Sequence, residues 1–291
     1  MDFPPELINE IFHYGCILST SFSLALCQIS SWTRRLALPY LYSTAVIKKH
    51  ANTRSLSLAL TPKFTPICPP SPHFAPKDSV ESLWVEAVSN TIVTIFRSCP
   101  NIRNIALPPD NVLWLAYASS QGNQSYTFLP INPSDKPNLH LLLTEAYDES
   151  ILTQFPYANI ALNNPFFDRI THLRIGKLGR YSALVDIAQY ENLTHIAIPY
   201  HLPQKQSLSD LPELFTFPSV MLLVVVILTD LLSAAKCEEA IAWVRNIRVS
   251  NPKVYAVTSQ YHNLQAEWEE EVRRGVSIWD KAERFTLAKC S

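Results

Sequence analysis

The sequence predicts an α/β protein in which a short helical N-terminal module leads into a parallel sheet built from recurring strand–turn–helix units. Two observations carry that prediction. An apolar-x-x-apolar-x-apolar pattern recurs from residue 102 onward, with helix-like stretches between its copies. Ahead of it lie two amphipathic stretches at helical spacing, too short to bury their own faces without a partner.

The chain opens M-D-F-P-P-E-L-I-N-E-I-F-H-Y. Asp2 can cap a helix, and Pro4 and Pro5 fit its first turn, where no amide hydrogen bond is lost. Leu7, Ile8, Ile11 and Phe12 follow at helical spacing as one apolar stripe. A second stretch, residues 22–38, carries Leu24, Leu26, Ile29, Trp32 and Leu36, and Pro39 marks its expected end. Residues 61–77 hold six prolines among small polar residues and predict an extended surface loop.

Beyond the loop, the apolar pattern appears as Ile102-Ile105-Leu107, Ile170-Leu173-Ile175, Leu193-Ile196-Ile198 and Val220-Leu223-Val225. Weaker copies start at Leu139 and Val254, and Leu56-Leu58 in S-L-S-L-A-L reads as an earlier one. First positions at 102, 139, 170, 193, 220 and 254 are spaced 37, 31, 23, 27 and 34 residues apart, within the range of structural repeats. Residues 80–97, 182–190 and 237–247 read as the intervening helices. Each strand would give apolar residues to a shared core that its helix covers from one side. A single unit cannot bury its face, so copies stack. After the last strand, Trp268, Val272, Val276 and Trp279 line one face of a terminal helix or helix pair. The charge run 267–274 would be its solvated face, and the helices would cap the open end of the array.

Composition excludes several function classes. A net charge of -1 over 291 residues provides no electrostatic footprint for nucleic acid or an anionic membrane. Five glycines against 22 prolines rule out a Gly-rich phosphate loop. The six cysteines, at 16, 27, 68, 99, 237 and 290, have no close pairing and are expected to be reduced and mostly buried. No basic, apolar leader opens the chain, and the most apolar run, residues 220–228, is too short for a membrane helix. The expectation is a soluble cytoplasmic or nuclear protein. No nucleophile elbow, zinc-protease motif or cysteine signature is present, so the expectation is a non-enzyme with no cofactor and no metal.

The segment F-P-P-E-L-I-N-E-I-F resembles the Leu-Pro-x-Glu-Leu-(Leu/Ile)-x-x-Ile-Phe start of the F-box. L-A-L-C-Q-I-S-S-W-T-R-R-L-A-L-P-Y-L-Y resembles its second half, in the divergent form expanded in fungi. That resemblance implies docking onto the Skp-type adaptor of a cullin–RING ubiquitin ligase, through Phe3, Pro4, Leu7, Ile8, Ile11, Phe12 and Trp32. Two departures stand out: residues 15–23 lack the usual acidic, Leu-rich linker, and Ile29 lies three residues before Trp32 where the family has four. The strand–turn–helix grammar in turn resembles an irregular leucine-rich-repeat solenoid. It implies residues 1–47 as an adaptor-binding module, 48–260 as the repeat domain and 261–291 as a helical cap.

In the repeat register, Arg103, Asn104, Thr171, His172, Arg174, Thr194, His195, Met221 and Tyr255 fall on the face opposite the helices and are the candidate contacts for an unknown protein target. Their mixed polar and apolar character suits protein recognition. His172 and His195 occupy equal positions in adjacent repeats, about 5 Å apart if the strands pair. The alternatives are a generic α/β domain with parallel strands, and an adaptor-independent repeat scaffold whose N-terminal helices only cap the array.

Overall fold

The computed structural model describes residues 4–60, 74–120, 138–144, 164–176, 190–200 and 218–289. Asp2, Phe3, Cys68 and Cys290, most of the proline-rich loop and most of the stretch 182–190 lie outside them.

Three helices open the chain: α1 (Pro5–Leu18), α2 (Thr20–Ile29) and α3 (Ser31–Ser43). Pro4 occupies the N-cap of α1 and Pro5 its first position, as their missing amides allow. The stretch 22–38 is two helices, not one. Ser30 breaks it by capping α3: its hydroxyl accepts from the Thr33 amide at 3.1 Å while Thr33 Oγ1 accepts from the Ser30 amide at 3.1 Å. Pro39 does not end α3, which continues to Ser43. The ring removes one helical hydrogen bond, that to the carbonyl of Arg35, an exposed residue. Packing of Ala37 and Tyr40 into the three-helix core holds the helix through it. That core is small: Cys16, Leu26 and Ala37, ringed by Phe12, Phe22 and Leu36. Gly15 lets α1 and α2 meet closely, because a Cβ there would collide with the Phe22 ring.

Among the described residues, eight strands follow in one sheet: β1 (Thr44–Ile47), β2 (Ser82–Val85), β3 (Asn104–Leu107), β4 (Leu139–Leu143), β5 (Ile170–Ile175), β6 (His195–Tyr200), β7 (Leu222–Leu228) and β8 (Val254–Ser259). Every neighbouring pair is parallel and the spatial order is the chain order. The six copies of the apolar pattern from residue 102 onward are β3 to β8. Leu56 and Leu58 are not in a strand: they lie in helix α4 (His50–Leu60), where Thr53, Leu56 and Leu60 turn inward at helical spacing. Residues 80–97 are not one helix either, but strand β2 followed by helix α6 (Thr91–Ser98), after the short helix α5 (Pro76–Ser79). Since β1 pairs with β2, residues 1–47 also supply the first strand of the sheet.

Alternate residues of each strand enter a core on one side of the sheet. Leu83, Ile105, Leu141, Leu173, Ile196 and Leu223 form one of its rows. Helices α4, α6, α7 (Pro109–Ser120) and α8 (Ala234–Arg248) cover it, through Leu60, Ile92, Ile95, Leu115 and Val244 among others. Stacked in this way, each parallel strand buries its core face beside that of its neighbour. Buried amides are satisfied: Asn111 bonds the backbone of Ala87 and Ser89 at 3.0 and 2.9 Å.

The last two helices, α9 (Leu264–Arg274) and α10 (Ile278–Lys289), do not simply cap the open end of the array. Helix α9 lies across the second face of the sheet, with Leu264 and Trp268 on Trp84, Ala106 and Leu142. Helix α10 starts on that face, where Ile278, Trp279 and Ala282 pack on Ala197, Val224 and Val226. It then closes the β8 edge: Thr286 Oγ1 accepts from the Ala256 amide at 2.7 Å and donates to its carbonyl at 3.1 Å. The apolar character of β6 to β8 on this face explains the placement, since Leu222, Val224, Val226 and Leu228 would otherwise meet water.

Candidate functional site

Parallel in-register pairing turns equal strand positions into rows across the second face. One row runs Thr44, Ser82, Asn104, His140, His172, His195, Leu222, and the next runs Val46, Trp84, Ala106, Leu142, Arg174, Ala197, Val224, Tyr255. The first is polar over six strands. Its three histidines stack face to face: His140 and His172 have ring centroids 3.8 Å apart, His172 and His195 4.1 Å. Trp279 covers two of them at 5.4 Å.

Threonines next to two of the rings hold them. Thr171 Oγ1 meets His172 Nδ1 at 2.9 Å and Thr194 Oγ1 meets His195 Nδ1 at 2.8 Å. Thr194 gives its own proton to the Thr171 carbonyl at 3.0 Å. Its oxygen is therefore the acceptor for His195, which places the proton of the neutral ring on Nδ1 and leaves Nε2 as an acceptor. Burial pushes the imidazole of His140 down to about 4, helped by His195. Burial, then His140 and His195, pushes His172 to about 3. Burial also lowers His195, with Glu283 pulling the other way. The stack is a neutral one at pH 7.

In the second row Arg174 is buried, and its guanidinium points at α9. It donates to Glu271 at 3.0 Å, to Glu267 at 3.2 Å and to Ser259 Oγ at 3.3 Å. Ser259 Oγ donates to Glu267 at 2.6 Å and the Gln260 amide donates to the same carboxylate at 2.9 Å. Lys281 sits 3.7 Å from Glu271. Burial pushes the Glu271 carboxyl up, against the pull of Arg174 and Lys281. The charge run of α9 is thus only partly a solvated face: Glu267 and Glu271 turn in to meet Arg174, while Arg274 and Glu270 pair outside at 2.8 Å.

Between this floor and the turn joining α9 to α10 lies a cavity of about 210 Å³. Asn104, His140, His172, Leu142 and Arg174 line it from the sheet, and Trp268, Glu271, Val272, Gly275, Ile278 and Trp279 from the helices and their turn. Gly275, at φ 70°, ends α9 in the left-handed conformation that glycine adopts freely, and so folds α10 back over the sheet.

The predicted target contacts are divided by this arrangement. Arg174 is buried, its charge compensated by Glu267 and Glu271, and it reaches only the cavity floor. Asn104 and His172 line the cavity, while His195 lies under Trp279 and Tyr255 under the Arg248 guanidinium at 4.5 Å. Thr171 and Thr194 are half-buried ring supports. Arg103 and Met221, just ahead of β3 and β7, are exposed. His140, Glu271 and Trp268 were not foreseen as parts of a site, although His140 in L-H-L-L-L holds the strand position of His172 in T-H-L-R-I.

Of the predicted adaptor contacts, Leu7, Ile11 and Trp32 are 46%, 56% and 46% exposed. Pro4 is exposed, and Ile8 and Phe12 are half-buried, Phe12 packing on Trp32 at 5.9 Å and on Phe22 at 6.2 Å. Phe3 lies outside the described residues. Tyr14, Leu18, Leu24 and Ile29 add to the exposed apolar surface of the three helices. Cys16, Cys27, Cys99 and Cys237 are free thiols. Among the described residues, no group of three His, Cys, Asp or Glu is arranged to hold a metal ion, and no helix is long and apolar enough to cross a membrane. No protein-family model matches the chain, and no curated protein matches it.

Proposed function

We propose that this chain is a substrate-recognition subunit of a cullin–RING ubiquitin ligase, in which α1 to α3 dock on a Skp-type adaptor and the sheet-bearing region holds a protein target. The carrying observation is that Leu7, Ile11 and Trp32, three positions of the F-box resemblance, are solvent-exposed apolar side chains on helices with their own small core. Leu7, Ile11, Tyr14 and Leu18 make a stripe along α1, and Leu24 and Ile29 extend the exposed apolar surface on α2. Apolar surface of that extent on a small helical unit is the mark of a protein interface. The sheet region reads as an irregular leucine-rich-repeat array, because consecutive parallel strands with helices on one side are what stacked repeats form. Exposed Arg103 and Met221 support a reading in which the target is contacted at the rim where the strands begin. The working compartment is the cytoplasm or nucleus.

The second reading, a scaffold whose N-terminal helices only cap the array, is favoured by contacts such as Arg273 of α9 donating to Thr20 Oγ1 at 2.8 Å and the Tyr42 ring of α3 meeting Phe74 at 5.6 Å. Co-purification with the adaptor separates the two. The wild-type chain is expected to retain the adaptor, and Leu7→Asp with Ile11→Asp is expected to lose it while the thermal transition stays within about 2 °C, because both side chains are exposed. A wild-type chain that never retains the adaptor refutes the ligase reading.

A further inference from the structure

The cavity under the α9–α10 turn is larger than the apolar 150 Å³ cavity that accommodates benzene, at about 210 Å³. A ring system of roughly ten non-hydrogen atoms fits that space. Its chemistry is mixed in a specific way. Trp268 and Trp279 provide aromatic walls, and Leu142, Val272 and Ile278 line it with aliphatic surface. On the floor, Asn104 and His140 present amide and imidazole groups side by side in one row of the sheet. Among the described residues, the His140 ring has a stacking partner, His172, but no hydrogen-bond partner.

The cavity's charges cancel. Of its lining residues, Arg174 and Glu271 carry charge, and they pair with each other at 3.0 Å. An anion or cation bound there would meet no net counter-charge, whereas a neutral ligand needs none. We infer that this cavity is a binding site for an uncharged, planar nitrogen heterocycle of purine size, its ring faces against the tryptophan walls and its polar edge hydrogen-bonded to His140 and Asn104. The site is independent of adaptor docking, because α1 to α3 contribute no lining residue.

Adenine, uncharged at neutral pH, is the test probe, and benzoate, planar and anionic, is the comparison. The readout is the NMR shift of the Trp268 and Trp279 indole N–H signals in the full chain. Adenine is expected to move both signals saturably, with a dissociation constant on the order of 1 mM or tighter. Benzoate should bind at least tenfold more weakly. His140→Phe keeps a flat ring in the stack but removes its nitrogens, and should weaken adenine at least tenfold. Val272→Trp fills the cavity and should abolish the shifts; if that variant does not fold, His140→Phe decides alone. The inference is overturned by the absence of adenine shifts at several millimolar, by benzoate binding as tightly as adenine, or by unchanged adenine affinity in His140→Phe.

Discussion

Replacing Arg174 with methionine tests what ties α9 to the sheet. The guanidinium is 5% exposed and donates to two carboxylates, Glu271 at 12% and Glu267 at 26% exposure. Removing one member of a buried ion pair strands the other charge and costs about 3–5 kcal/mol. Two features of the site place this case at the low end. Glu267 keeps the Ser259 hydroxyl and the Gln260 amide as donors, and Glu271 keeps Lys281 at 3.7 Å. A loss of about 3 kcal/mol is therefore expected, which for a chain of this size lowers the melting temperature by about 6–12 °C. Urea unfolding followed by tryptophan emission measures it, with Trp268 of α9 and Trp279 of α10 among the six reporters. Changing Glu271 to methionine as well removes the stranded carboxylate and is expected to restore at least half of the loss. A single variant within about 0.5 kcal/mol of wild type refutes the reasoning, as does a double variant whose loss is the sum of the two singles.

Two further outcomes follow from the β8 edge and from the histidine stack. Thr286→Val leaves the buried amide and carbonyl of Ala256 without their partner and should cost about 1–3 kcal/mol, with faster hydrogen exchange at Ala256 and little change in β2 or β3. The histidine stack predicts acid sensitivity. His140 and His172 are held at about 4 and about 3 against an ordinary 6.5, so the unfolded chain takes up their protons first as the pH falls. The stability contributed by the neutral rings is whole above pH 6.5 and declines steadily between 6.5 and 3. Urea midpoints measured from neutral pH to about 4.5 should fall less steeply in His172→Phe than in wild type; parallel slopes count against the stack.

Much of the fold was legible because β3 to β8 each place two or three apolar residues at alternate positions, and in-register parallel pairing aligns them. Strand β2 was not, because S-L-W-V is buried on both faces and has no alternation to read. S-L-S-L-A-L misleads in the opposite sense: it alternates like a strand, yet Leu58 is 42% exposed on a helix whose inward residues are Thr53, Leu56 and Leu60. Pro39 failed as a terminator because tertiary packing outweighed the single bond it removes. The site was half legible. Equal strand positions brought His172 and His195 together as expected, but His140 sat in a copy of the pattern weakened by Thr144. The Arg174 cluster joins residues 93 and 97 positions apart, and no local pattern announces such a pair.

The strap formed by α9 and α10 has a consequence for how the chain is made. Among the described residues, each strand up to β8 pairs with the strand before it in the chain, so the sheet can grow in the order of synthesis. The strap is different. It emerges from the ribosome after all eight strands and reaches back past most of them, to Trp84 in β2 and to Thr20 beside α1. During that interval, the nascent sheet shows Trp84, Leu142, Val224, Val226 and the unpaired guanidinium of Arg174 to its surroundings. A ribosome stalled within the strap would therefore present a nearly finished protein with one sticky side, the species on which holdase chaperones act.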